Sequence, residues 1–250
     1  MTREAGKTAE TARAIEQAGG VAVVFPTIAV GPPADAAPLD QSMRDSGMFD
    51  VIVVSSRTGA DVLAGVAARV GADLAGARIA AVGQGSAAQL RAHGIAASIV
   101  PDREDGQGLL DAILRAAPRP GRALVLRAEE GREVLVDGLR AAGWEVASVV
   151  AYRTVVAERS PAEVEALLAA PRPDAALFMS PSAFSGLLRI LGADAAVRWL
   201  APVLRVAIGS VTAEAMTRAG AAPDVVASSP SVRAALDDIA AALYHPPVGR

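Results

Sequence analysis

Four short turns place hydroxyl and glycine residues where they could hold an anion. "VVSSRTG" sets Ser55, Ser56 and Arg57 after an apolar run, and "FMSPSAF" sets Ser180, Pro181 and Ser182 in the same way. "VGQGSA" brings Gly83 and Ser86, and "IGSVTA" brings Gly209 and Thr212. Each reads as a strand running into a helix N-terminus, and a proline at 181 suits a helix's first turn. Such an end presents unpaired N–H groups and a partial positive charge, a natural seat for carboxylate or phosphate. Taken singly, each serine or threonine is an ordinary helix cap. Two pairs of such turns, at the carboxyl ends of parallel strands where α/β proteins bind ligands, point to an anion site.

Two other motifs compete for attention. Gly83, Gly85 and Ala88 fall in GxGxxA spacing, and Asp102 stands about 20 residues on, as in a dinucleotide fingerprint. The second copy of the turn replaces Gly85 with Val211 and keeps the turn, the hydroxyl residue and the helix, so the preserved signal is the strand-turn-helix outline. "AGKT" (Ala5 to Thr8) ends like a phosphate-binding P-loop, but the first glycine would fall at Met1 with no strand before it.

Composition removes whole classes of chemistry. The 250 residues are 52% hydrophobic and 20% charged, with a net charge of -3. Without cysteine there is no disulfide, thiolate or cysteine-ligated metal. His93 at a helix end and His245 in a proline-rich tail are the two histidines, too few for a zinc site or a Ser-His-Asp triad. Lys7 is the sole lysine, basic and acidic residues are interspersed, and aromatics make up 3%, so nothing suggests nucleic acid. The apolar runs are too short for a membrane span, and no signal pattern opens the chain. The expectation is a cytoplasmic monomer.

The turns need a scaffold. "VAVVF", "DVIVV", "RIAAV", "ASIV", "RALVL", "EVASVV", "DAALFM", "RVAI" and "DVVA" read as buried strands, alternating with amphipathic helices such as "GADVLAGVAARVG". That alternation predicts an α/β fold with parallel sheets and right-handed crossovers. The order also repeats. Asp50 with Asp174, Ser56 with Ser180, Arg3 with Arg127 and Gly19 with Gly143 lie 124 residues apart. Gly83 with Gly209, Ser86 with Thr212, Gly94 with Gly220 and Pro26 with Tyr152 lie 126 apart. Two similar lobes are the natural result.

The ordered set of segments carries a family likeness. "TREAGKTAETARAIEQAGGVAVVFPTIAV", "VIVVSSRTGADVL", "RIAAVGQGSAAQLRAHGI", "VASVVAYRTV", "ALFMSPSAFSGLL" and "VAIGSVTAEAMTRAG", followed by "PDVVASSPSVRAA", resemble the uroporphyrinogen-III synthase family over nearly the whole chain. The resemblance implies two parallel-sheet, flavodoxin- or Rossmann-like lobes joined by a two-strand hinge, residues 1–31 with 155–250 forming one and 32–154 the other. It implies an active site in the cleft between them. It implies a cofactor-free lyase that closes hydroxymethylbilane, a linear tetrapyrrole with eight carboxylates, with loss of water and inversion of the last pyrrole ring. Tyr152, in the "YRT" motif, matches the family's tyrosine and becomes the candidate donor to the leaving hydroxyl; a phenol is a poor proton source at neutral pH but a good hydrogen-bond donor. Arg3, Arg57, Arg127 and Arg153 are candidates for gripping carboxylates. The chain departs from the family pattern at Arg57, where proline is common, and in starting at Met1-Thr2-Arg3, where the family has a strand before "TR". A non-catalytic two-lobed anion-binding or sensor module, a degenerate relative of the synthase, is the alternative. In either case a valine at Gly83 or Gly209 is expected to harm binding more than removal of a single turn hydroxyl.

Overall fold

The computed structural model describes residues 5–130 and 134–244. In chain order its elements begin with α1 (Ala5–Gln17), β1 (Ile28–Gly31), α2 (Ala37–Arg44), a 3₁₀ turn (Ser46–Met48), β2 (Val51–Val54) and α3 (Arg57–Val70). There follow β3 (Arg78–Ala81), α4 (Gln84–Ala92), α5 (Gly106–Ala116), β4 (Arg122–Ala128), α6 (Val134–Ala141), β5 (Glu145–Val156) and α7 (Pro161–Ala169). The chain ends with β6 (Ala175–Phe178), α8 (Pro181–Leu191), α9 (Ala193–Leu200), β7 (Leu204–Ala207), α10 (Ser210–Arg218), β8 (Val225–Val226) and α11 (Val232–Tyr244). Two compact units result: Met1–Val30 with Thr154–Arg250 (unit 1), and Gly31–Arg153 (unit 2).

Unit 2 is built on parallel strands in the order β5-β4-β2-β3, with Val51 opposite Arg78 on one side and Ala123 on the other. Both faces are covered, which is why β2 reads as an uninterrupted apolar run. Ile52, Val54, Leu124 and Leu126 face Leu39, Leu63 and Leu90 from α2, α3 and α4. Val51, Val53, Ala123 and Val125 face Leu109, Ile113 and Leu139 from α5 and α6. The side-chain period of two thus sends alternate residues of one strand into two separate cores.

Unit 1 follows the same plan on parallel strands β6-β7-β8. Phe178, Phe184, Leu187, Leu200 and Met216 form one core layer, with the Phe178 and Phe184 rings edge to face at 5.1 Å. Leu177 and Val206 face Ala235 of α11 on the other side.

The repeat extends to backbone angles. Gly19 and Gly143 have φ of 81° and 86°, and Gly94 and Gly220 have 77° and 76°, all left-handed conformations that favour glycine. Not every echo survives. "VAVVF" was expected to form a strand, but residues 21–27 form none; Val21 and Val24 are exposed and Pro26 lacks an amide donor. In unit 2 its counterpart is the start of β5, which pairs with β4. The residues that correspond to the end of β4, 1–4, lie outside the described residues. "EVASVV" and "YRTVV", in turn, are one continuous strand, β5.

Candidate active site

The carboxyl end of the unit 2 sheet carries two of the four turns, Ser55–Arg57 after β2 and Gly83–Ser86 after β3, together with Tyr152. Ser56 closes β2 and caps α3, its Oγ accepting the Gly59 amide at 2.9 Å. The same Oγ lies 2.9 Å from the Tyr152 hydroxyl, with either atom able to donate. Two residues 96 apart in sequence are therefore in direct contact. Ser55 and Arg57, on either side of the cap, are exposed.

A local irregularity sets the direction of Tyr152. The β4–β5 register runs evenly from Arg122–Glu145 to Arg127–Val150, then jumps so that Ala128 faces Tyr152. Ala151 is the extra residue, and a bulge of this kind re-aims the side chain that follows. The ring packs half-buried against the core beneath α3, while its hydroxyl reaches Ser56.

The neighbouring turn is filled by the chain's own side chains. Glu104 Oε1 accepts the Gln84 amide at 2.9 Å, at the first residue of α4. A Cβ built on Gly83 would run into that carboxylate, and one on Gly85 would meet the Arg57 guanidinium. This accounts for the glycine spacing: the position that a dinucleotide pyrophosphate would take carries Glu104. Asp102 was the acid considered from sequence, and Glu104 is the one at the helix end. Nothing in the spacing of "PDREDG" separates the two.

Unit 1 presents the same backbone with different side chains. Ser180 caps α8, accepting the Ala183 amide at 3.1 Å, and its φ, ψ of -165°, 159° match the -164°, 163° of Ser56. Pro181 takes the first turn of α8, and Ser182 is half-buried beside it. Gly209 caps α10 at -178°, 177°, against -175°, 177° at Gly83. That extended backbone is open to any residue, and a Cβ at 209 would meet nothing within 4 Å. The chain itself therefore does not require glycine there, and any penalty for Gly209→Val must come from the ligand side.

The remaining candidates divide. Ser86 and Thr212 are 5% and 3% exposed, turned inward at the third residue of their helices, so their place is under the turn. Arg127 donates to Ser148 Oγ and to the carbonyls of Ala128 and Glu129, holding the end of β4. Arg153 donates to the Pro32 carbonyl. Arg3 lies outside the described residues. A cavity of about 500 Å³ in unit 2, lined by Asp50, Arg78, Pro120 and Trp144, sits at the amino ends of the strands, away from this chemistry. Among the described residues no group of His, Asp and Glu is placed to hold a metal ion, and no helix is long and apolar enough to cross a membrane.

Ser56→Ala tests the shared cap. Loss of the α3 cap should lower stability by about 1 kcal/mol, read as a lower thermal midpoint, with Ser56→Thr restoring most of it.

Parallel α/β units with helix N-termini at the carboxyl ends of their strands define the doubly wound class, whose ligands bind at those ends. Within that class the chain belongs to the uroporphyrinogen-III synthase family: the family profile "Uroporphyrinogen-III synthase HemD" matches residues 9–237. A uroporphyrinogen-III synthase of Synechococcus elongatus is 27% identical over 219 residues, 84% of this chain and 80% of that protein. A putative uroporphyrinogen-III synthase of Methanothermobacter thermautotrophicus is 30% identical over 199 residues, 77% of each chain. Among solved structures, the uroporphyrinogen-III synthetase of Helicobacter pylori matches with a TM-score of 0.54 at 18% identity, covering 88% of this chain and 92% of that one. A mutant uroporphyrinogen III synthase of Thermus thermophilus matches at 0.50 and 21%, covering 98% and 99%. These two likenesses concern the fold.

Proposed function

We propose that this chain is a uroporphyrinogen-III synthase acting as a carbon–oxygen lyase. It takes hydroxymethylbilane, releases the terminal hydroxyl as water, and closes the macrocycle with the last ring inverted. The observation that carries this reading is the contact between Tyr152 and Ser56 at the carboxyl end of the unit 2 sheet, beside exposed Arg57.

The geometry suits the chemical demand. The pyrrole nitrogen already pushes the hydroxyl out, so a hydrogen-bond donor suffices. Ser56 Oγ has taken the Gly59 amide as acceptor; if its own proton goes to Tyr152 Oη, the phenolic hydrogen is left for the departing hydroxyl. The harder task is to fold a flexible substrate so that inverted closure wins, which is catalysis by orientation. Each tenfold in product ratio needs about 1.4 kcal/mol. Carboxylates gripped by the helix ends and by Arg57 supply that preference. With the protein at -3 and a substrate of about -8 if fully ionised, local donors have to outweigh net repulsion.

In the same reading the chain works as a cytoplasmic monomer. Its two units act as lobes, with the two strands that cross from one to the other, β1 and β5, serving as the hinge. No metal or organic cofactor takes part. The test is incubation with hydroxymethylbilane, oxidation of the products and separation of the type I and type III isomers, with and without chelator. Enrichment of type III over the uncatalysed mixture, unchanged by chelator, is expected. Type I alone would leave the chain as an anion-binding module.

A further inference from the structure

The repeat permits a comparison within one chain. Arg57 and Gly85 of unit 2 stand at the positions of Pro181 and Val211 in unit 1, 124 and 126 residues on. Arginine goes with glycine, and proline goes with valine. The structure supplies a cause for the first pairing. A Cβ built on Gly85 would fall 2.8 Å from Nε and 2.9 Å from Nη2 of Arg57. Side-chain carbons do not approach so closely, so any other residue would push the guanidinium off the first turn of α4. The atoms met are the far end of an exposed, flexible side chain, so the arginine would move and the fold would stay. In unit 1, where Pro181 leaves no guanidinium to accommodate, Val211 is tolerated at 66% exposure.

We propose that Gly85 is a positioning residue for Arg57: the missing side chain seats the guanidinium over the first turn of α4, where it receives a substrate carboxylate for unit 2. That the ligand is a carboxylate rests on the synthase reading above. Glu104 explains why an arginine is needed here. Its carboxylate already holds the Gln84 amide and adds a negative charge to the helix end, so an incoming anion needs a cation to offset it. Among the described residues no ion pair holds the Arg57 guanidinium away from that task. At α10 a Cβ built on Gly209 would meet nothing within 4 Å, where one on Gly83 would meet the Glu104 carboxylate, and that open helix end can serve without an arginine. The two units thus grip by different means on the same backbone.

The experiment is a fluorescence titration of the purified protein with uroporphyrin I, a stable octacarboxylate, using wild type, R57A, G85V and R57A/G85V. R91A, an exposed arginine of α4 with the same charge change, is the control. R57A should weaken binding about tenfold, as for loss of a charge-assisted hydrogen bond. G85V should do the same at an unchanged thermal midpoint, and the double variant should be no weaker than either single one, the signature of a coupled pair. In turnover, G85V should raise KM and leave kcat. Multiplying losses in the double variant, unaltered binding by G85V, an R91A effect equal to that of R57A, or no binding by wild type would each overturn the proposal. The synthase reading is scored separately, by type III formation from wild type. A chain that cyclises without the coupling loses only the pair, and one that shows the coupling without cyclising loses only the synthase.

Discussion

Tyr152→Phe should slow formation of the type III isomer by about tenfold to a hundredfold without unfolding the protein. The ring packs half-buried against the core under α3, and phenylalanine keeps every one of those contacts. What it loses is the hydroxyl 2.9 Å from Ser56 Oγ. One hydrogen bond to a group that gains charge on leaving contributes roughly 1 to 3 kcal/mol, which gives the stated range. A residual rate is expected because the pyrrole still expels the hydroxyl and the turns still orient the chain. Partitioning adds a second readout. If Tyr152 acts only on departure, Tyr152→Phe lowers kcat and leaves the III-to-I ratio of the enzymatic product unchanged. Steady-state rates with isomer separation, and circular dichroism for folding, decide it. Complete loss of activity would make Tyr152 an essential acid, and an unchanged rate would remove it from the mechanism.

The sequence shows some layers of this molecule and hides others. Parallel sheets were legible because β2 and the buried centre of β4, Ala123–Leu126, are continuous apolar runs between helical patterns, and strands buried on both faces must read so. The paired turns were legible because Ser56, Ser180, Gly83 and Gly209 sit where 3.6-residue periodicity begins, and matched caps give matched backbone angles. The contact of Tyr152 with Ser56 was not. It depends on a bulge at Ala151, and one skipped register position leaves no mark in composition or periodicity. Glu104 was hidden for a related reason, since "DRE" offers two acids, Asp102 and Glu104, and a loop's path decides which meets α4. Gly83 and Gly209 look equivalent in sequence but differ in space: one accommodates a carboxylate, the other faces open space.

Gly186→Ala should be among the most destabilising single changes in unit 1, although alanine is the better helix former. Gly186 lies in the middle of α8, buried, and a Cβ there would run into the carbonyl of Thr27. The obstacle is backbone, and it cannot rotate away. Thr27 is held from two sides: its carbonyl accepts the Ala157 amide at 3.0 Å, and its hydroxyl donates to the Ala183 carbonyl of α8 at 2.6 Å. Accommodating a methyl group means parting α8 from this segment and stretching a buried hydrogen bond. Overpacking of this kind costs about 1 to 3 kcal/mol, and the rigid neighbour places Gly186 at the upper end, a fall of about 6 to 12 °C in midpoint for a chain of this size. Gly65→Ala in α3 is the contrast, because its Cβ would meet nothing within 4 Å and the change should raise stability by up to about 1 kcal/mol. The effect at 186 also reaches the turn that, on the proposed reading, grips substrate carboxylates in unit 1. Ser180 and Pro181 begin the same helix, so parting α8 from Thr27 displaces the unit 1 turn. The folded fraction of Gly186→Ala should therefore form type III with a raised KM. Opposite signs at 65 and 186 in thermal melts support the close approach of α8 to Thr27; a higher midpoint at both would refute it.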